Sequence, residues 1–281
     1  MRRRDLSILL AGSVALVFTA CGDPSAAPPS GTAPPPAATS DAAPPLPADP
    51  SPTTSQPPAP TTTAKPAGRT VVLDPGHNGG NGTNSSAIKK QVPDGRGGTK
   101  ACNTTGASTN AGYAEHSFTW DVAVRVREEL TAKGVKVVMT RDSDSGVGPC
   151  VDERARIGNQ AGADAVVSIH ADGSNSPTAR GFHIIYSAPP LNSAQGAPTA
   201  KLAAALRDTL RAKGFPLSNY IGSNGLHGRA DIAGVNHSTR PAVMIECGNM
   251  RHPEDAAQIS SAAGRARYAD AITDGLLRYL G

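Results

Sequence analysis

The pattern of residues 69–281 predicts a single α/β domain of three layers, in which a mostly parallel, mixed sheet lies between helices. Short apolar stretches alternate along the chain with longer stretches whose apolar residues recur every three or four positions. Some of the short stretches, such as AVVSIH at 165–170, are apolar almost throughout, as strands buried on both faces are. A length of about 210 residues is sufficient for one well-filled core.

The amino terminus has the layout of an export signal peptide. Residues 1–4 are basic, residues 6–20 are apolar or small, and Cys21 follows. The apolar stretch is shorter than the roughly 20 residues that a membrane-spanning helix needs. A cysteine directly after small residues resembles a bacterial lipobox, so we expect lipid to be attached to Cys21 and to anchor the protein to a membrane. The alternative is a plain secretory signal in which Cys21 has no role.

The segment 22–68 is dominated by proline, alanine, threonine and serine. It has no apolar periodicity and cannot bury enough surface to compensate for the entropy lost on ordering. We therefore expect a disordered, extended tether between the signal and the domain. If Cys21 carries lipid, this tether holds the domain away from the membrane surface.

The first half of the domain contains three predicted strands and two predicted helices. Their bounds are strand 70–77, helix 114–133, strand 135–141, helix 152–161 and strand 165–170. In the first helix, apolar residues recur every four positions from Phe118 to Leu130, and Gly134 provides a helix-ending position. Residues 78–113 are rich in glycine, asparagine and threonine and are interpreted as a long loop, either a lid over a site or a mobile surface segment.

The second half of the domain continues the alternation. The predicted elements are strand 181–187, helix 198–213, strand 242–246, helix 253–260 and helix 264–280. The connection 171–180 is too short for a helix, which predicts that strand 181–187 pairs antiparallel with the strand before it. Residues 214–240 are predicted to be irregular or to form only short elements.

Charge and cysteines limit the class of protein. The net charge of +4 is spread along the chain and forms no basic stripe, which argues against a nucleic-acid partner. Cys102 and Cys150 lie in polar loops of a chain with an export signal, so we expect a disulfide between them. Cys247 is interpreted as a small buried residue, since no base that would activate it as a nucleophile is evident.

Four side chains are expected to meet at the edge of the sheet where the strands end. His77, His170 and Glu246 each end an apolar strand, and Glu115 begins a helix. A catalytic zinc ion takes three protein ligands and leaves one position for water. We predict one zinc ion held by His77, Glu115 and His170, with Glu246 as a general base beside it. The alternative for each residue is local: a polar strand end, or an acidic group that compensates the helix dipole.

The remaining histidines and Asp74 are given no place in this site. Five histidines are interpreted as non-ligands: His116, His183, His227, His237 and His252. The glycine-rich loop that contains His227 could still border the site. Asp74 precedes Pro75 and is interpreted as a turn residue, with a hydrogen bond to a metal ligand as the alternative.

Four segments of the domain together resemble one enzyme family. They are VVLDPGH at 71–77, the stretch from AEHSFTW to VVMTR at 114–141, ERARIGNQAGADAVVSIHAD at 153–172 and PAVMIECGNM at 241–250. In this order they are similar to the zinc-dependent N-acetylmuramoyl-L-alanine amidases of the amidase type 3 family, and in particular to cell-wall amidases of actinobacteria. The resemblance implies that His77, Glu115 and His170 are the zinc ligands and that Glu246 is the catalytic glutamate.

The resemblance implies hydrolysis of the amide bond between N-acetylmuramic acid and L-alanine in peptidoglycan, by a zinc-activated water with a glutamate general base. We expect a monomer at the cell envelope whose partner is peptidoglycan or a muropeptide. The sequence departs from the family pattern at two places: Trp120 stands where leucine is common, and residues 247–249 differ from the usual ones. These departures bear on packing and substrate contacts, not on the predicted zinc ligands. The alternatives are an inactive peptidoglycan-binding protein and a zinc peptidase that cuts within the stem peptide.

Some members of the family have a long insertion after the fourth strand, and a helix within it covers the zinc. Here the corresponding connection, 188–197, has ten residues and includes Pro189, Pro190 and Gly196. These residues are poor material for a helix. We therefore expect an open cleft and an enzyme that needs no activator.

Overall fold

The computed structural model describes residues 68–281. The predicted signal peptide, the lipid-attachment residue Cys21 and the tether up to residue 67 lie outside the described residues, so these remain predictions. Within the described part of the chain, no helix is long and apolar enough to cross a membrane.

The described residues form eight strands, six of which belong to one sheet. In chain order the strands are β1 (Thr70–Pro75), β2 (Gln91–Pro93), β3 (Thr99–Ala101), β4 (Lys136–Met139), β5 (Ala165–Asp172), β6 (His183–Ser187), β7 (Leu226–Arg229) and β8 (Ala242–Asn249). The order across the sheet is β4–β1–β5–β8–β6–β7. Strands β4, β1, β5 and β8 run parallel, β6 pairs antiparallel with β8, and β7 runs parallel to β6. The predicted mostly parallel, mixed sheet is confirmed.

The predicted partner of the strand 181–187 is wrong. Strand β6 does run antiparallel to the central strands, but it pairs with β8, which lies between β6 and β5. The connection from β5 to β6 passes the carboxyl end of β8 and is fastened there, because the side-chain amide of Asn249 donates to the carbonyl oxygens of Ser174 and Ala179. The short connection therefore predicted the direction of β6 correctly, but not the strand with which β6 pairs.

Seven α-helices accompany the strands in the described residues. They are α1 (Ser85–Ile88), α2 (Glu115–Ala132), α3 (Val151–Gln160), α4 (Ala197–Ala212), α5 (Ala233–Asn236), α6 (Pro253–Ser260) and α7 (Ala262–Leu280). All five predicted helices are present, with ends that differ by at most two residues. Helix α2 ends as predicted, because Gly134 has a φ of 83° and the amide of Val135 donates to the carbonyl oxygen of Leu130 at 3.1 Å.

The helices cover the two faces of the sheet unequally. Helices α2, α4 and α7 pack on one face, where the main core contains large side chains such as Phe118 and Leu206. On the other face, α3 covers only a small cluster of valine and alanine residues. Alternation along the strands directs Ser168, His170 and Glu246 to this second face. We call it the polar face, and it carries the candidate site.

The segment 78–113 is not the irregular loop that its composition predicts. It contains a short 3₁₀ turn, α1 and a hairpin of β2 and β3. The predicted disulfide between Cys102 and Cys150 is confirmed and joins this segment to the start of α3. The Nζ atom of Lys100 donates to the carbonyl oxygen of Asp231 at 2.7 Å. Contacts with distant residues, rather than local apolar periodicity, give the segment its structure.

The connection between β6 and α4 is short, as predicted. Residues 188–196 are described throughout and contain one 3₁₀ turn, Ser193–Gln195, but no α-helix. This connection therefore supplies no helix that could cover the polar face.

Candidate metal centre

His77 lies two residues beyond the end of β1. Its φ of 59° is in the left-handed region, which residues other than glycine seldom adopt. The sharp turn places the imidazole between two oxygen atoms. Its Nδ1 lies 3.0 Å from the carbonyl oxygen of Thr104, and its Nε2 lies 3.1 Å from Oε1 of Glu115. The ring orientation is thus fixed from both sides.

Glu115 is the first residue of α2 and is almost completely buried. Its Oε2 accepts a hydrogen bond from the amide of Ala107 at 2.7 Å, and its Oε1 accepts one from the amide of Ala171 at 3.0 Å. The same Oε1 lies 3.1 Å from Nδ1 of His170. Burial alone would raise the pKa of Glu115, but His77 and His170 hold that pKa well below its ordinary value.

His170 projects from β5 onto the polar face, next to the turn that follows β1. A Cβ atom added at Gly76 would come within 2.2 Å of the His170 ring, so only glycine fits at this position. The rings of His77 and His170 meet edge to face, with their centroids 4.8 Å apart. The glycine of the DPGH segment therefore allows the two imidazoles to approach each other.

His77, Glu115 and His170 form what we call the metal corner. One ligand atom from each residue lies within 4.8 Å of the others. Two imidazole nitrogens and one carboxylate oxygen are a donor set that suits zinc and similar transition metals. The outer partners of the set, which are the backbone groups of Thr104, Ala107 and Ala171, fix its orientation. The structure thus brings together the three residues that the sequence predicts as ligands.

Glu246 lies beside the metal corner on β8. Its Cα is paired with that of His170 on β5, so the two side chains leave the sheet on the same face. Within the described residues its carboxylate makes no hydrogen bond, and its Oε2 is buried without a partner. Burial raises the pKa of Glu246 well above its ordinary value, and the carboxylates of Asp172 and Glu115 raise it further.

A second polar cluster flanks Glu246 on its other side, and we call Asp172, His183, Tyr220 and His227 the histidine corner. His183 on β6 is paired with Glu246 across the antiparallel ladder, and its Nδ1 lies 3.7 Å from Oδ2 of Asp172. The Tyr220 hydroxyl donates to that same oxygen at 2.7 Å. Among the described residues, the buried Nδ1 atoms of His183 and His227 have no hydrogen-bond partner. Burial lowers the pKa of His183 to about 4.

The sequence did not predict this second cluster. His183 and His227 were predicted to be non-ligands, and the structure leaves both outside the group that could hold a metal. Their position beside Glu246 was missed, because it depends on β8 lying between β5 and β6. The period-two alternation around Ile184, which faces the main core, could have placed His183 on the polar face.

Asp74 is a buried strand residue, and its interpretation as a turn residue is wrong. Its Oδ1 accepts a hydrogen bond from Arg154 Nη1 at 2.6 Å, and its Oδ2 accepts one from Ser168 Oγ at 2.6 Å. It makes no hydrogen bond to a residue of the metal corner among the described contacts. Burial would raise its pKa, but Arg154 and the hydroxyl donors lower it to about 2.

Arg154 supports the turn that presents His77, a role that was not predicted from the sequence. Its guanidinium donates to the carbonyl oxygens of Pro75 at 2.8 Å and of His77 at 3.0 Å. Arg141 donates to the same Pro75 oxygen at 3.0 Å. Two buried arginines thus satisfy the carbonyl groups of a strained turn that no ladder partner reaches.

The other singled-out residues contribute no donor atom to the metal corner. His116 contacts Asp144 at 2.8 Å, and Nε2 of His237 lies 3.0 Å from the carbonyl oxygen of Pro93. His252 immediately precedes α6. Cys247 is buried in the main core, on the opposite face from Glu246, so its interpretation as a small buried residue is confirmed.

Comparison with known proteins relates this geometry to one family. A sequence profile described as N-acetylmuramoyl-L-alanine amidase matches residues 71–278. The N-acetylmuramoyl-L-alanine amidase Rv3717 of Mycobacterium tuberculosis is 49% identical over 213 residues, which are 76% of this chain and 87% of that protein.

Two crystal structures extend the similarity to the fold. The N-acetylmuramyl-L-alanine amidase Ami1 of Mycobacterium smegmatis is 53% identical, with a TM-score of 0.75 over 78% of this chain and 99% of that chain. The apo form of Ami1 from Mycobacterium abscessus is 51% identical, with a TM-score of 0.74 over 76% of this chain and 100% of that chain.

Proposed function

This chain belongs to the N-acetylmuramoyl-L-alanine amidase family, and we propose that His77, Glu115 and His170 hold a zinc ion and that Glu246 is its general base. The activity of the family is hydrolysis of the amide bond between N-acetylmuramic acid and L-alanine in peptidoglycan, and the chain is such an enzyme. The proposal therefore concerns which residues perform the reaction and with which ion.

The observation that carries the proposal is the convergence of three donor atoms within 4.8 Å, supplied by the turn after β1, the start of α2 and strand β5. Zinc suits this set because it accepts imidazole together with carboxylate, whereas magnesium and calcium prefer oxygen ligands throughout. The set offers three ligands, and a catalytic zinc site keeps its remaining position for water or substrate. When bound there, the ion would polarise the substrate carbonyl group and lower the pKa of a bound water.

Glu246 is suited to proton transfer because nothing in the described protein occupies its carboxylate oxygens. We assign it two steps: it accepts a proton from the attacking water, and it then donates that proton to the nitrogen of the leaving L-alanine. The first step requires the ionised carboxylate. A cation held by the adjacent metal corner would favour that form and would offset the effect of burial.

A digest of peptidoglycan tests the reaction, the metal requirement and the rival functions together. The zinc-loaded protein should release intact stem peptides that begin with free L-alanine, as mass spectrometry would detect. Treatment with a chelator should stop the release, and added zinc should restore it. Fragments cut within the stem peptide would identify a peptidase instead. Wall binding without any soluble product would identify an inactive binding protein.

The location of the enzyme follows from its substrate. Peptidoglycan lies outside the plasma membrane, which agrees with the signal peptide predicted for residues 1–21. We propose that Cys21 carries lipid and that the tether 22–68 lets a monomeric catalytic domain reach the wall from the membrane surface. The mass of the mature amino-terminal peptide tests this, since an unmodified Cys21 or a cleavage site elsewhere would contradict it.

A further inference from the structure

Trp120 is the only tryptophan of the chain, and it takes no part in the main core. Helix α2 buries the stripe that runs from Phe118 to Leu130, whereas Trp120 is only half-buried. Its ring lies against the guanidinium of Arg141, whose Cζ is 4.9 Å from the ring centroid. A large aromatic side chain that remains partly in water and fills no core position is suited to contact with another molecule.

Trp120 lies in a shallow depression on the outer side of α2, which we call the Trp120 groove. The side chains that line it beside Trp120 combine an aromatic ring, a hydroxyl and carboxylates: Tyr113, Ser117, Asp121, Glu128 and Asp144. The ring of Tyr113 is also half-buried and also lies against a cation, with Cζ of Arg265 at 5.5 Å from its centroid. The groove therefore contains two half-buried aromatic rings, each with a guanidinium against one of its faces.

This lining matches the chemistry of a glycan strand. An N-acetylated amino sugar has an apolar C–H face that can stack on an aromatic ring, and hydroxyl and amide groups that can donate to carboxylates. Asp121 is bonded to Arg125 at 2.6 Å and Asp144 to Arg141 at 3.0 Å, so these acceptors are already oriented. Rigid rings and oriented acceptors bind at a low cost in side-chain entropy.

A stem peptide matches the groove less well. The backbone N–H and C=O groups of α2 are bonded within the helix, so the groove lacks the free ladder groups with which a sheet edge binds an extended peptide. Its charged lining consists of the carboxylates of Asp121, Glu128 and Asp144 and the guanidinium of Arg125. Arg141 and Arg265 also pair with Asp144 and Asp121, so the groove has no excess of positive charge that would attract the carboxylate groups of a peptide.

The groove begins next to the metal corner. Ser117 follows Glu115 by two residues, and Asp144 contacts the intervening His116 at 2.8 Å. A Cβ atom added at Gly79 would lie 2.0 Å from the carbonyl oxygen of Asp144, so this end of the groove lies against the segment that follows His77. Only this end of the groove approaches the segment that presents His77, so a glycan strand that leaves the groove there would run toward the metal corner.

We propose that the Trp120 groove binds the glycan strand of peptidoglycan and gives the enzyme a preference for polymeric substrate. The inference rests on the proposed function, since it requires hydrolysis at the metal corner. It adds a binding surface on the outer side of α2 that takes no part in the chemistry itself.

The first test compares Trp120→Ala with Tyr279→Ala in the full chain. Tyr279 is a matched control, because it is a half-buried aromatic residue of α7 with Lys201 Nζ 5.7 Å from its ring, and it lies outside the groove. On insoluble peptidoglycan, Trp120→Ala should lower kcat/KM about 10-fold and Tyr279→Ala less than about 2-fold. On muramyl dipeptide, which has a single sugar, both variants should stay within about 2-fold of the unmodified enzyme. Trp120→Tyr should retain most of the activity on the polymer.

The second test uses Trp120 itself as the reporter, so it does not depend on how the alanine variant folds. An inactive Glu246→Gln chain is titrated with a peptide-free oligosaccharide of N-acetylated amino sugars, and tryptophan fluorescence should change and saturate. The proposal is overturned if fluorescence does not respond, if an L-alanyl stem peptide saturates the response instead, or if Trp120→Ala reduces activity on polymer and dipeptide equally. The proposed function fails separately, if the unmodified zinc-loaded enzyme does not hydrolyse muramyl dipeptide.

Discussion

Two pairs of histidines flank the carboxylate of Glu246 on the polar face. On the β5 side, the ring centroids of His77 and His170 are 4.8 Å apart, and Glu115 lies between the rings. On the β6 side, the centroids of His183 and His227 are 5.5 Å apart, with a carboxylate at 3.7 Å from His183. The two corners have similar residue types, but Glu115 is buried whereas Asp172 is partly exposed, and their hydrogen bonding differs.

In the metal corner, His77 and Glu115 each have a further backbone partner that fixes their orientation. In the histidine corner, the Nδ1 atoms of His183 and His227 are buried without a partner. Within the described residues, only the metal corner brings three donor atoms close enough to hold an ion. The two corners thus differ in their outer hydrogen bonds, which in metal sites orient the ligands.

The unpartnered nitrogens of the histidine corner carry a cost. Leaving a buried polar group without a hydrogen bond costs about 1–3 kcal/mol. Such groups persist where ordered water, or a molecule that enters the cleft, supplies the partner. The metal corner is therefore oriented by hydrogen bonds from the protein, whereas the Nδ1 atoms of His183 and His227 have no protein partner among the described residues.

The largest effect that separates the corners is expected from loss of a metal ligand. His170→Ala should lose bound zinc and activity together, by more than the roughly 10²–10⁴-fold cost of losing a proton-transfer group. His183→Ala is the matched control and should keep one zinc per chain, because His183 lies outside the metal corner. Elemental analysis of both purified variants decides the matter. Zinc retained in His170→Ala, or lost in His183→Ala, would contradict the assignment of the corners.

A smaller effect on rate should distinguish the two glutamates. Glu246→Gln should lower kcat by about 10²–10⁴-fold and leave zinc bound, since we propose that Glu246 transfers protons and is not a ligand of the ion. Glu115→Gln should lose zinc as well as activity, because its Oε1 lies 3.1 Å from both imidazoles of the metal corner. Activity and zinc content are measured on the same samples. A Glu246→Gln chain without zinc would show that Glu246 is a ligand.

The support of the metal corner can be broken without touching its ligands. Asp74→Asn leaves the buried guanidinium of Arg154 without its counter-ion, and should lower the free energy of unfolding by about 3–5 kcal/mol. Asp164→Asn breaks the exposed pair with Arg69, at 3.0 Å, and should cost no more than about 1 kcal/mol. Urea unfolding of the two variants measures both values. Equal effects would show that the buried pair does not hold the turn.

Acid provides a second check on Asp74. Its pKa is about 2 in the folded protein, below the ordinary value of 3.8, so the folded state favours the ionised carboxylate. The resulting stabilisation is complete above pH 3.8 and is lost as the pH falls through about 2. Between these values the stability of the unmodified protein should fall more steeply than that of Asp74→Asn. If the two proteins lost stability equally with falling pH, Asp74 would not be the source of the acid-dependent loss.

The smallest expected change in the free energy of unfolding is at the histidine corner, and there a substitution should stabilise the protein. His183→Leu removes a buried nitrogen that lacks a partner, and should raise the free energy of unfolding by about 1 kcal/mol. Because burial lowers the pKa of His183, the unfolded chain binds more protons between pH 6.5 and about 4, and the unmodified protein is destabilised as the pH falls through this range. The His183→Leu variant should not show this loss of stability between pH 6.5 and about 4. Destabilisation by His183→Leu at neutral pH would show that His183 is already satisfied.

The sequence by itself determined the elements and placed the strand ends to within two or three residues, since β1 ends at Pro75, β5 at Asp172 and β8 at Asn249. The period of apolar residues and the glycine at 134 are local signals, so α2 and its end could be predicted within the helix itself. The stop of an apolar run at His77 and at His170 likewise reports where a strand ends. In a parallel sheet those ends share one edge, which is why the two predicted histidine ligands meet, and the start of α2 adds Glu115 to them.

Only the tertiary structure decided which neighbours these elements have. The insertion of β8 between β5 and β6 brought His183 beside Glu246, and the burial of Asp74 paired it with Arg154, which is 80 residues away. The hairpin of β2 and β3 is likewise held by distant contacts such as Lys100 to Asp231. Periodicity reports which face of an element is buried, but it does not report what lies against that face. Which element packs against a buried face depends on pairing between residues far apart in the chain, and a local sequence pattern does not predict that pairing.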